Sequence, residues 1–117
     1  MLVSARFLGE VGVMSEEYFL YFEELDWAER AAGRFRLAYA AESIVYHKEG
    51  GSIGASTERK TRLADYHFMR NRILVTRKFK PAALPTVYFA LAVGALRRAR
   101  RGEWDRVRMI AELCWRT

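Results

Sequence analysis

The 117-residue sequence predicts an α/β chain, or α+β if it stands alone, with short strands in its first half followed by two or three helices. Three observations lead there. The first half carries brief apolar or aromatic runs bounded by glycine and charge. The second half carries long stretches with helical periodicity. Gly33, Pro81 and Gly102 fall where elements should end.

Residues 2–8 are mostly apolar and fit either a short strand or a helix, with Gly9 and Gly12 interrupting the pattern. The aromatic run Tyr18–Phe22 is too short for a helix of its own and reads as an extended, buried segment. A helix fits Glu23 or Glu24 to about Ala32, with Leu25, Ala28 and Ala32 as its apolar stripe and Gly33 as its stop. Two further extended pieces fit Arg34–Tyr39 and Ser43–His47, closed by Gly50-Gly51. Helices then fit Thr57 to about Phe79, Ala82 to about Arg101, and Glu103 to Trp115, punctuated by Pro81 and Gly102.

The length suits one domain with a modest core, and a hydrophobic content of 51% excludes a disordered tail. A single cysteine, Cys114, excludes an internal disulfide framework and fits a reducing compartment. The opening Met-Leu-Val-Ser-Ala-Arg does not read as a signal peptide. The net charge of +6 hides a division: residues 1–58 hold five Lys/Arg against ten Asp/Glu, and residues 59–117 hold fifteen against four. Such asymmetry implies an acidic site early and, late, a basic surface suited to phosphates, anionic lipid or nucleic acid. Within the basic half, Pro81–Leu96 runs sixteen residues without a charge between Lys78 and Lys80 on one side and Arg97, Arg98, Arg100 and Arg101 on the other. As a helix it would measure roughly 24 Å, short of the roughly 30 Å of a bilayer core, so a spanning helix is rejected. A core or dimer-interface helix and a membrane-surface helix both remain open.

"YFEELDWAERAAG" gathers Glu23, Glu24, Asp26 and Glu29 directly behind the aromatic run. Acids in a first helical turn favour the macrodipole, and Asp26 with Arg30 is a well-oriented i,i+4 pair. These acids also leave a buried segment at a helix start, where side chains are presented to a cleft. His47, in "VYHKEGGSIG", is on its own more often a packing residue than a ligand.

Taken together, "MLVSARFLGEVGVMSEEYFLYFEELDWAERAAGRFRLAYAAESIVYHKEGGSIG" resembles the C-terminal half of the catalytic domain of family 2 glycosyltransferases, in particular the bacterial rhamnosyltransferase-like branch. That pattern runs "FFLYFEDVDLCLR", a Gly, a short strand, then "VxHxxGxS". The continuation "DYHFMRNRILVTRKFKP" resembles the helix that follows, with its Tyr and Arg-Asn-Arg. The resemblance implies a GT-A fold and inverting glycosyl transfer from a nucleotide-sugar donor to a glycan or lipid-linked acceptor. It places Glu24 as the catalytic base, in a position the family usually gives to Asp. Glu23 is the acid before it, Asp26 an orienting second acid, and His47 a ligand for a divalent metal, Mg or Mn. It further implies a cytoplasmic location, peripheral at the inner membrane face.

The division expected is residues 1–56 as the base-bearing portion of the catalytic domain and residues 57–117 as a basic helical extension. In the family a nucleotide-binding half with an Asp-x-Asp motif comes first, and no Asp-x-Asp occurs here. The resemblance therefore implies a chain that starts mid-domain and does not turn over alone. Two other classes compete. One is a non-catalytic homo-oligomer that covers an orphaned sheet edge and the Ala82–Leu96 helix with a second copy. The other is a small basic nucleic-acid-binding protein built on Arg70, Arg72, Arg77 and Lys78. Nucleic acid is the less favoured partner, because no known nucleic-acid-binding motif appears in the sequence.

Overall fold

A computed structural model describes residues 2–46 and 61–116, and within them the chain is built from helices and connecting turns with no strand. The expected α/β or α+β class is thereby corrected. Five helices follow in order: α1 (Ala5–Val11), α2 (Glu23–Ala31), α3 (Arg62–Phe79), α4 (Leu84–Ala99) and α5 (Trp104–Arg116), with 3-10 turns at Glu16–Tyr18 and Pro81–Ala83.

The first helix starts where the Ser4 hydroxyl accepts the Phe7 amide at 3.2 Å, and it stops at Gly12, whose φ of 82° suits glycine. Phe7 and Val11 of α1 pack on Trp27 and Ala31 of α2. The Phe7 and Trp27 rings meet edge-on at 4.9 Å, and Trp27 donates its indole N–H to the Gly12 carbonyl at 2.9 Å. This Trp decides which face of α2 turns inward. The expected stripe of Leu25, Ala28 and Ala32 is therefore displaced: Trp27 and Ala31 are buried and Leu25 is 44% exposed. Arg30 reinforces the pairing by donating to the Val11 and Val13 carbonyls at 2.6 and 2.7 Å, which satisfies the end of α1.

The expected strands fail for two different reasons. Tyr18–Phe22 is buried at Tyr18, but its backbone is turned: Phe19, Tyr21 and Phe22 have φ of 47°, 67° and 74°. The carbonyls of Tyr18, Leu20 and Tyr21, which a sheet would need, are taken by the Asn71 side chain instead. Residues 36–46 are irregular and exposed, with Leu37, Tyr39, Ile44, Val45 and Tyr46 all open to solvent. An apolar run becomes a strand only beside another edge, and none stands there among the described residues. The end of the second expected piece at His47, the Gly50-Gly51 closure and the expected helix start at Thr57 lie outside the described residues.

The second half matches its helical periodicity. The Thr61 hydroxyl caps α3 by accepting the Ala64 amide at 3.2 Å. Pro81 opens the turn before α4, and Gly102, at φ 73°, separates α4 from α5. Met69, Ile73, Val87, Leu91, Met109, Ile110 and Leu113 form one core shared by α3, α4 and α5. At its edge the buried Asp65 of α3 accepts Arg98 of α4 on both oxygens, at 2.9 and 2.7 Å, and Arg106 of α5 at 2.8 Å. One carboxylate thus ties three helices.

Ile73 has no exposed surface, and Leu96, on the outer face of α4, is half exposed. Ile73→Ala is expected to lower unfolding stability by about 2–5 kcal/mol, measured by urea denaturation. Leu96→Ala is expected to change it by less than about 0.5 kcal/mol.

Candidate functional site

The stretch 16–26 is a tight reversal held from outside by α3. Three non-glycine residues at positive φ, two of them adjacent aromatics, are a costly arrangement, on the order of 1–3 kcal/mol each, and persist only where surroundings enforce them. Asn71, fully buried, supplies most of that enforcement. Its amide nitrogen donates to the carbonyls of Tyr18 (2.6 Å), Leu20 (2.7 Å) and Tyr21 (3.1 Å). Arg70 orients that amide by donating to Asn71 Oδ1 at 2.9 Å, and it reaches the Glu17 carbonyl at 3.1 Å. Phe68 packs against Tyr21 and Phe22 at 5.9 and 5.4 Å.

Asp26 is the second anchor. Its carboxylate is fully buried and accepts from Tyr18 Oη (3.0 Å), Arg30 Nε (2.7 Å) and Lys78 Nζ (2.6 Å). Burial alone would raise the Asp26 pKa, but the hydrogen bonds from Lys78, Arg30 and Tyr18 outweigh it and hold the carboxyl below its ordinary value. Tyr18 moves the other way. Burial, then its bond to the Asp26 carboxylate, pushes the phenol well above the usual Tyr range, so it remains a donor. The expected Asp26–Arg30 pair is present, and Lys78 of α3 adds a cation from 52 residues away.

These anchors fix what the start of α2 presents. Phe22, in left-handed conformation, precedes the helix and offers no side-chain cap. Glu23 is half-buried and lines a cleft of about 290 Å³ with Met14, Ser15, Glu16 and Phe19. Its Oε2 is buried and has no hydrogen-bond partner among the described residues. Glu24, one position on, is exposed. The three expected acids are thus divided: Asp26 is enclosed by cations, Glu23 faces the cleft and Glu24 faces solvent. His47 lies outside the described residues, and among those described no group of three or more His, Cys, Asp or Glu is placed to hold a metal ion.

Two residues near the cleft escaped sequence reasoning. Glu16 contributes a second carboxylate to its wall, brought there by the 3-10 turn. His67 of α3 packs on Phe19, another wall residue, at 5.0 Å between rings, and its buried Nδ1 has no partner among the described residues. Burial, then the nearby Arg70, holds His67 below the ordinary histidine value. Its only sequence signal was a place in "DYHFMRNR", beside the Arg-Asn-Arg that does carry a visible role.

The basic residues of α3 are largely engaged inside the molecule: Arg70 on the reversal, Lys78 on Asp26, and Arg77 on the Tyr88 hydroxyl at 3.3 Å. No protein-family model, curated protein or solved structure matches the chain.

The linkage sign for Asp26 follows from its depressed pKa. Stability from the network is complete above the ordinary Asp value of about 3.9 and is lost as pH falls through the depressed value. Acid titration of the denaturant midpoint should therefore show a loss below about pH 4 that Asp26→Asn reduces. At neutral pH the same substitution is expected to cost about 2–4 kcal/mol, discounted from a fully buried pair because Lys78 is partly exposed.

Proposed function

We propose that the chain forms the acceptor side of an inverting, nucleotide-sugar-dependent glycosyltransferase. One observation carries this reading. "FLYFEELD" and "RNRILVTRK", two of the stretches that carry the resemblance, are some fifty residues apart and yet form one bonded unit through Asn71 and Lys78. That unit neutralises Asp26 while no cation among the described residues pairs with Glu23 or Glu24. Two acids at one helix start, backed by an enforced reversal, suit proton chemistry better than packing.

In this reading Glu24 takes the proton of the acceptor hydroxyl as that oxygen attacks the anomeric carbon. The new C–O bond forms on the face opposite the breaking bond to the nucleoside diphosphate, which leaves with the electron pair. Glu23, facing the cleft, orients the acceptor by accepting a second hydroxyl. Asp26 does no chemistry: with Tyr18, Arg30 and Lys78 it holds α2 so that the other two acids keep their direction. Glu in place of the family's usual Asp extends the base by a methylene, a displacement of about 1 Å that can lower rates on the order of a hundredfold. The donor's diphosphate grip is assigned to a nucleotide-binding half bearing Asp-x-Asp, a motif this sequence lacks.

The 117-residue chain alone is expected to transfer no sugar from common nucleotide sugars, and to do so once joined to such a half. In the joined enzyme Glu24→Gln should lower kcat by about a hundred- to ten-thousandfold with folding intact. Glu29→Gln, which loses only a surface ion pair with the exposed Lys80, should change little. Robust transfer by the chain alone, or equal small effects of both substitutions, would contradict the proposal.

A further inference from the structure

The fourth helix is apolar on two opposite faces. Val87 and Leu91 turn into the core with α3 and α5, while Pro85, Phe89, Ala92 and Leu96 lie on the other side, at spacings of three and four residues. Phe89 is 72% exposed and Leu96 53%. The outer stripe runs into exposed Arg97 and Arg100, with Arg101 beside them, whereas Arg98 on the inner side is consumed by Asp65. No helix among the described residues is long and apolar enough to cross a membrane.

We infer that this outer face of α4 docks on an anionic lipid surface, with Phe89 and Leu96 entering the headgroup boundary and Arg97, Arg100 and Arg101 meeting lipid phosphates. Charge decides the occupant. No Asp or Glu occurs between Pro81 and Gly102, so a second copy meeting this face through its own α4 brings arginines and no carboxylate of that segment. An anionic bilayer supplies both the apolar layer that Phe89 needs and the negative charge that the arginines need. The stripe from Pro85 to Leu96 is about 16 Å long, enough to lie along an interface and too short to pass through one.

The test is flotation of the full 117-residue chain with phosphatidylcholine vesicles, with and without phosphatidylglycerol. Binding to the anionic vesicles should weaken with added salt and be at least about tenfold weaker to neutral ones. Phe89→Glu and Phe89→Ser should each reduce binding at least tenfold, with an unchanged far-UV circular dichroism spectrum because the ring is not part of the core. The triple substitution Arg97→Gln, Arg100→Gln, Arg101→Gln should weaken binding by roughly fivefold per charge removed and flatten the salt dependence. No binding to anionic vesicles, or binding unaffected by either Phe89 substitution, would overturn the assignment. So would a dimer in sedimentation that Phe89→Glu dissolves while vesicle binding is absent, since a second copy would then be the occupant.

Discussion

The Asp26 carboxylate lies wholly out of solvent, and the acidic half of the molecule is arranged around keeping it ionised there. Removing such a charge from water costs several kcal/mol, which the attraction of a partner offsets only with close geometry and further hydrogen bonds. Tyr18, Arg30 and Lys78 supply three donors within 3.0 Å, from the turn before α2, from α2 itself and from α3. Each donor carries structure with it. Arg30 also closes the end of α1, Lys78 brings the last turn of α3 against α2, and Tyr18 fixes the start of the strained reversal.

Asn71 acts on the same reversal from the other side. With Phe19, Tyr21 and Phe22 at positive φ the reversal builds no regular backbone ladder, and carbonyls in it turn to an external donor. A single buried amide, oriented by Arg70, meets three of them. The strain is thus confined to the residues just before Glu23 and Glu24, and α3 bears the load. This division of labour explains why one helix mixes a core face of Met69 and Ile73 with a polar face of Arg70, Asn71 and Lys78.

What the sequence disclosed follows from the range of the interactions involved. The existence of helices α2 to α5 was legible because their composition and the breakers Gly33, Pro81 and Gly102 are local, and the Asp26–Arg30 pair because it lies within one turn. The strands were misread because the fate of Tyr18–Phe22 depends on Asn71, about fifty residues away, and no local signal reports that contact. The face of α2 was misread because Trp27 finds Phe7 and the Gly12 carbonyl, so one large ring outweighs three small apolar residues. At the site, the acids themselves were visible. Their division into an enclosed Asp26, a cleft-facing Glu23 and a solvent-facing Glu24 was not, because it is set by Lys78 and by the reversal.

The claim that joins these parts is that Asp26 couples the reversal and α2 to α3 through Lys78. A double-mutant cycle in urea, comparing Asp26→Asn, Lys78→Met and the pair with the unmodified chain, measures that coupling directly. Contacting groups of one network are predicted to couple by about 1 kcal/mol or more, with the partial exposure of Lys78 keeping the value below the largest seen. Strict additivity, within about 0.3 kcal/mol, would contradict the account and reduce the Lys78 contact to a surface pairing with no hold on the site.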